Sequence, residues 1–202
     1  MLFRSAGVGS AAQVKVFDGA SLFDGPKPPK VIRNFFAFDP TFRGGIGVAA
    51  GDVNGDGKAD IVVGKMAGGT PEVKVFDGAT GATLYDYYAL NPNYTGGVSV
   101  AAGDITGGGR ADVVVGASGG ATSEIRVFSG DNLVADYSAF GGIRHGVRVA
   151  MRDIDGDGKC EVVAVVGPGG PPRMRVLHGL TGAVLRESPA MPGLYTDGLS
   201  VG

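Results

Sequence analysis

Short apolar runs separated by Gly-, Asp- and Asn-rich turns recur along the whole chain, and no segment keeps a helical period. Four runs make up one unit. Ile46 to Ala50 alternates, as a strand with one buried face does, and leads into an acidic loop. Ile61-Val62-Val63 is continuously apolar, which suits a strand covered on both faces. Val73 to Phe76 comes third, and Gly78-Ala79-Thr80-Gly81 turns it into Thr83 to Tyr88. Every connection is short. Parallel strands need crossovers of about a dozen residues, so these strands are predicted to be antiparallel neighbours.

The unit recurs at about 50 residues, the signature of a repeat architecture. Asp52 returns as Asp104 and as Asp153. A second marker, apolar-basic-apolar-apolar before a turn, appears as Val14-Lys15-Val16-Phe17, Val73-Lys74-Val75-Phe76, Ile125-Arg126-Val127-Phe128 and Met174-Arg175-Val176-Leu177. Four-stranded antiparallel units repeated radially make an all-β propeller, each unit a blade. The expected blades are 1–43 (partial, strands two to four), 44–95, 96–144, 145–195 and 196–202, the last a first strand of the next or closing blade. This gives about four blades, three complete and one split between the termini. Gly198 to Gly202 parallels Gly97 to Ala101, a first strand without its acidic loop. Either the two pieces pair and close a four-bladed ring, or the chain is an arc of a larger propeller; the missing loop favours the arc.

Two nine-residue loops carry the chemistry. They are Asp52-Val53-Asn54-Gly55-Asp56-Gly57-Lys58-Ala59-Asp60 and Asp153-Ile154-Asp155-Gly156-Asp157-Gly158-Lys159-Cys160-Glu161. Each puts side-chain oxygens at positions 1, 3, 5 and 9 and Gly at position 6. Ca²⁺ takes six to eight oxygens, which alternating acids in a tight loop can supply. A cation also relieves the repulsion among carboxylates held this close. The expected ligands are Asp52, Asn54, Asp56, Asp60 and the Lys58 carbonyl in one loop. In the other they are Asp153, Asp155, Asp157, Glu161 and the Lys159 carbonyl. Gly57 is expected to supply a turn with positive φ. The middle repeat, Asp104 to Asp112, has Thr106 at position 3 and Gly108 at position 5. It is expected to follow the same turn with an empty or very weak site. An EF-hand is excluded, because Val63 and Ala164 stand where that motif needs Glu at position 12.

Composition narrows the function classes. The net charge of -2 gives no basic field for nucleic acid or an anionic membrane. No apolar stretch approaches the ~20 residues of a membrane span, and Met1 to Gly7 has no signal-peptide core. Cys160 is the single cysteine, so no internal disulfide forms. The 38 glycines, read against the period, are turn residues rather than low complexity.

The acidic loops, the Asp60-Ile61-Val62-Val63-Gly64 type strand and the Val-Phe-Asp-Gly turns at Val16 to Gly19 and Val75 to Gly78 together resemble the FG-GAP/VCBS family. These repeats build the integrin α-subunit propeller and occur in many large bacterial surface proteins. The resemblance spans nearly the whole chain, although the Phe-Gly and Gly-Ala-Pro signatures are poorly kept. It implies a propeller, usually seven-bladed, with Ca²⁺ between strands 1 and 2 and partner contacts from loops on the opposite face.

Other features have simpler readings. Gly116-Ala117-Ser118-Gly119-Gly120 matches a hydrolase elbow, but a strand follows it where that motif needs a helix. His178 occupies a turn slot, and Cys160 aligns with Ala59 and Ala111. Phe42, Tyr94 and Tyr195 recur ahead of the loops, with Ile143 in the third blade, and suit packing between blades better than a sugar platform. Lys15, Lys74, Arg126 and Arg175 read as a solvated strand face. The leading expectation is a calcium-stabilised, non-catalytic module, extracellular or at the cell surface, that is structural or adhesive toward protein or glycan. A lectin-like propeller and an accessory domain of a polysaccharide-degrading enzyme are the alternatives. The oligomeric state is not specified by the sequence.

Overall fold

The structure is a computed structural model that describes residues 2–5, 7–23, 27–120 and 122–189. The predicted strand at 196–202 and the aromatic at Tyr195 lie outside the described residues. Among the described residues the chain is β throughout, apart from a 3-10 turn at Ala20–Phe23. The first sheet contains β1 (Leu2–Ser5), β2 (Gln13–Phe17) and β3 (Val31–Phe36). The second contains β4 (Ile46–Gly51), β5 (Asp60–Lys65), β6 (Glu72–Phe76) and β7 (Thr83–Tyr88). The third contains β8 (Val98–Gly103), β9 (Asp112–Ala117), β10 (Glu124–Ser129) and β11 (Asn132–Ser138). The fourth contains β12 (Val147–Arg152), β13 (Glu161–Val166), β14 (Arg173–Leu177) and β15 (Val184–Pro189).

Each strand pairs antiparallel with its chain neighbour, as the short connections require. The four sheets are separate, and none closes on itself. Inner strands β4, β8 and β12 lie side by side, which sets the sheets in propeller-like succession.

The core lies between sheets. Ile61 and Val63 join Val14, Val16 and Phe76 between the first and second sheets. Val62, from the same strand, points the other way and packs with Val75, Val113 and Val115 between the second and third. Val114 and Val127 meet Val149 and Val162 between the third and fourth. Successive strand side chains alternate in direction, so a strand sandwiched between two sheets must be apolar at every position. That is why the second strand of each unit is an unbroken run.

The basic residue of the third strand does different work from the solvated face expected of it. Arg126 Nη1 donates to the Ala89 carbonyl of the preceding sheet at 3.0 Å, and Arg175 Nη1 to that of Ala139 at 2.7 Å. Lys74 lies 5.6 Å from the Phe38 ring centre. These side chains are only 20–27% exposed, and each joins its sheet to the one before. The aromatics behave as inter-sheet packing. Phe42 packs into the first interface, and the Tyr94 hydroxyl donates to the Gly119 carbonyl of the next sheet at 2.8 Å.

Candidate metal centre

The acidic loops connect the first and second strands of the last three sheets, at one end of the strands. All three loops fold alike. Positions 4 and 6 have positive φ in each: Gly55 and Gly57 at 80° and 81°, Gly107 and Gly109 at 78° and 72°, Gly156 and Gly158 at 82° and 87°. Side chains with a Cβ rarely adopt this conformation. The expectation at Gly57 holds, and Gly55 shares the role.

Position 1 is an anion cradled by backbone amides. Asp52 Oδ1 accepts from Gly55 N–H at 2.7 Å, and its Oδ2 accepts from Gly57 N–H at 2.7 Å. Asp104 accepts from Gly107 and Gly109 at 2.6 and 2.7 Å, and Asp153 from Gly156 and Gly158 at 2.7 and 3.0 Å. Position 9 pins the loop's start from below. Asp60, fully buried, accepts from Val53 and Asn54 N–H at 2.9 and 3.1 Å, and from Gly78 at 2.9 Å. Asp112, 1% exposed, accepts from Ile105 and Thr106, both at 2.9 Å. Glu161 reaches the equivalent Ile154 N–H at 2.8 Å. Its extra methylene still delivers the bond.

Positions 3 and 5 differ in kind. Asn54 Oδ1 accepts only the local Asp56 N–H at 2.9 Å, and Asp56 Oδ1 that of Lys58 at 2.8 Å. Asp155 and Asp157 make the matching bonds to Asp157 and Lys159 N–H at 3.2 and 2.8 Å. The middle loop closes with Thr106 and Gly108 at these places. The fold therefore does not need carboxylate or amide oxygens at positions 3 and 5, although two of the three loops supply them.

Asp153, Asp155 and Glu161 bring one carboxylate oxygen each within 4.8 Å of the others, the one such group of His, Cys, Asp and Glu among the described residues. Asp157 stands outside it. In the first loop position 3 is Asn54, so only Asp52 and Asp60 are acids at the places matching this group. Asn54 Nδ2 donates to Asp77 Oδ2 at 3.1 Å, which draws position 3 toward the neighbouring turn. Asp77 was not among the expected ligands. Its Oδ1 also accepts from Ala79 and Thr80 N–H at 2.8 and 2.6 Å, and the Thr80 bonds hold its carboxyl below the usual range. The Asp77-Gly78 turn, matched by Asp18-Gly19 in the first sheet and by Ser129-Gly130 in the third, was the available signal. His178 fills that slot in the fourth sheet, as an exposed turn residue.

Neighbouring loops are also linked. Ala111 N–H donates to the Asp52 carbonyl at 2.7 Å, and Cys160 N–H to that of Asp104 at 2.6 Å. This explains the small residue at position 8. Burial raises the Cys160 thiol pKa, with Asp153 and Glu161 adding to the effect, which makes it a poor nucleophile. Ser118 follows β9 and precedes β10, so its elbow-like motif sits in a strand-to-strand loop.

The donor set is all oxygen and mostly carboxylate, which fits a hard divalent cation and not a thiolate- or imidazole-seeking metal. The FG-GAP repeat family matches residues 44–100, the second sheet with its acidic loop and the start of the third, which bears out the resemblance read from the sequence. No curated protein matches the chain. Among solved structures, the rhamnogalacturonan lyase PL11 of Bacillus licheniformis aligns at 14% identity and a TM-score of 0.36, over 95% of this chain and 41% of that one. The exotype rhamnogalacturonan lyase YesX aligns at 15% identity and a TM-score of 0.37, over 96% and 42%. The chain thus spans well under half the length of either.

Proposed function

We propose that the chain is a calcium-braced, non-catalytic segment of a larger FG-GAP-type propeller, serving an extracellular or cell-surface protein as a structural or adhesive module. One observation carries the reading. The middle loop attains the common fold with carboxylates only at positions 1 and 9, so Asn54, Asp56, Asp155 and Asp157 are surplus to folding, and a cation is their natural use. In the fourth sheet Asp153, Asp155, Asp157 and Glu161 would hold Ca²⁺, and in the second Asp52, Asn54, Asp56 and Asp60. The ion would cancel carboxylate repulsion and tie the loop together. Extracellular Ca²⁺ modules bind at ~10⁻⁴–10⁻³ M, which fills such sites outside a cell and leaves them empty in most cytoplasms.

The sugar-platform reading has less support, because Phe42 and Tyr94 are engaged in inter-sheet packing. Calorimetric titration tests the proposal. Two calcium equivalents in the sub-millimolar range, with magnesium markedly weaker, are expected. No heat from calcium, or equal affinity for both ions, would overturn it.

A further inference from the structure

The two loops with a full set of side-chain oxygens differ in kind at position 3, which is Asn54 in the second sheet and Asp155 in the fourth. A carboxylate offers an oxygen from either end. A primary amide offers an oxygen from one end and two N–H donors from the other. Turned the wrong way, Asn54 would present its NH₂ group to a cation. The amide therefore needs a partner that fixes its sense, and the carboxylate does not. The turn after the third strand varies in step with position 3. Asn54 is matched with Asp77, Thr106 with Ser129, and Asp155 with His178. None of the three acidic loops sets two carboxylates at this pair of positions, and the His178 Nδ1 serves its own turn, 3.1 Å from the Thr181 hydroxyl.

The sense of the Asn54 amide is set from both ends. Its Oδ1 accepts from Asp56 N–H within the loop at 2.9 Å, and its Nδ2 donates to Asp77 Oδ2 at 3.1 Å. A half turn of the amide would put its oxygen against a carboxylate and its NH₂ against an N–H, so both contacts select the same sense. Asp77 divides its oxygens between two tasks. Its Oδ1 holds the turn through Ala79 and Thr80 N–H, which leaves Oδ2 for Asn54. Both side chains are half-buried, where a hydrogen bond to an ionised acceptor is stronger than one between neutral groups. The turn that carries Asp77 is itself anchored. Gly78 N–H donates to Asp60 Oδ1 at 2.9 Å, and Arg33 Nη1 of the first sheet donates to the Thr80 carbonyl at 3.1 Å.

We infer that Asp77, which lies outside the loop, is a positioning residue for calcium in the second sheet: it fixes the Asn54 amide so that the oxygen, not the NH₂ group, serves the ion. The inference rests on the calcium reading above and makes the two sites unlike. The third loop is self-sufficient at position 3, because Asp155 needs no orienting partner. The first loop depends on a residue of the neighbouring turn. Groups that orient a ligand without touching the ion contribute to metal affinity in this way.

The test titrates the full chain with calcium and follows amide chemical shifts, with Gly57 reporting the first loop and Gly158 the third. Asp77→Asn keeps an oxygen for Ala79 and Thr80 N–H but replaces the acceptor facing Asn54 with a donor. It is expected to weaken calcium at the first loop about 10–100-fold, the usual loss when a group that orients a metal ligand is removed, and to change the third loop far less. In an Asn54→Asp background position 3 needs no orientation. There the same change at Asp77 is expected to alter affinity only a few-fold, the effect of one screened charge. Equal losses in the two backgrounds, or no loss in the unmodified one, would overturn the proposal. Should Asp77→Asn fail to fold, Asp77→Ser, which installs the third sheet's own residue, is read in the same way. Calcium that shifts neither loop of the unmodified chain refutes the calcium reading and this inference together, an outcome distinct from a first loop that binds the ion and ignores Asp77.

Discussion

The decisive perturbation rewrites the acidic loops in the protein's own terms. Asp155→Thr with Asp157→Gly turns the third loop into a copy of the middle one, and Asn54→Thr with Asp56→Gly does the same for the first. In the metal-free protein this removes two exposed local hydrogen bonds in the third loop, at 3.2 and 2.8 Å, and three in the first, where Asn54 also donates to Asp77. Such bonds are worth little net, and with the entropic cost of the new glycine the loss is about 1–2 kcal/mol per loop. The pins at positions 1 and 9 remain. Calcium changes the comparison. At about 10 mM ion and Kd of ~10⁻⁴–10⁻³ M, each filled site stabilises the unmodified fold by about 1.4–2.7 kcal/mol. For a chain of this size that is roughly 3–11 °C in Tm per site. Scanning calorimetry in calcium and in chelator should show the full rise in the unmodified protein, about half in either single-loop variant and none in the double. A double variant that keeps the calcium-dependent rise, or an unmodified protein that lacks one, refutes the assignment of positions 3 and 5 to the ion.

The middle loop provides the converse case. Asp112→Ala strands the buried Ile105 amide and the part-buried Thr106 amide and should cost roughly 3 kcal/mol, equally in calcium and in chelator by urea denaturation; a calcium-dependent loss would contradict the purely structural role. Burial raises the Tyr94 phenol to about 12. Because its folded pKa lies above the ordinary value of 10.0, its contribution is complete below pH 10 and disappears as pH rises through about 12. Tyr94→Phe should lower stability by about 1 kcal/mol at neutral pH, by loss of the bond to Gly119. The difference should shrink across pH 10–12, and a constant difference there would argue against the assignment.

The fold was legible because its signal is local and repeated. Alternation at Ile46 to Ala50 and the solid run at Ile61 to Val63 encode, respectively, an inner strand and one clamped between two sheets. Three things were not legible. The basic residue of the third strand looked solvated, because reach across to the preceding sheet's carbonyl is a tertiary fact with no periodicity of its own. Asp77 escaped notice because its tie to Asn54 spans 23 residues. That Asp157, at position 5 of the third loop, stands apart from Asp153, Asp155 and Glu161 is likewise a matter of geometry that no count of acids could reveal.

The hydrogen bonds from Ala111 to Asp52 and from Cys160 to Asp104 run loop to loop and make the rim a linear relay. Ala111 precedes the pin Asp112, and Cys160 precedes the proposed ligand Glu161. Ordering one loop therefore reduces the conformational entropy its neighbour must lose, as nearest-neighbour coupling in repeat arrays requires. The degenerate middle loop, though short of acids, would act as a transmitting spacer between the two proposed ion sites. A calcium titration should read this as a slope steeper than two independent sites give; a strictly independent isotherm would show the relay to be silent.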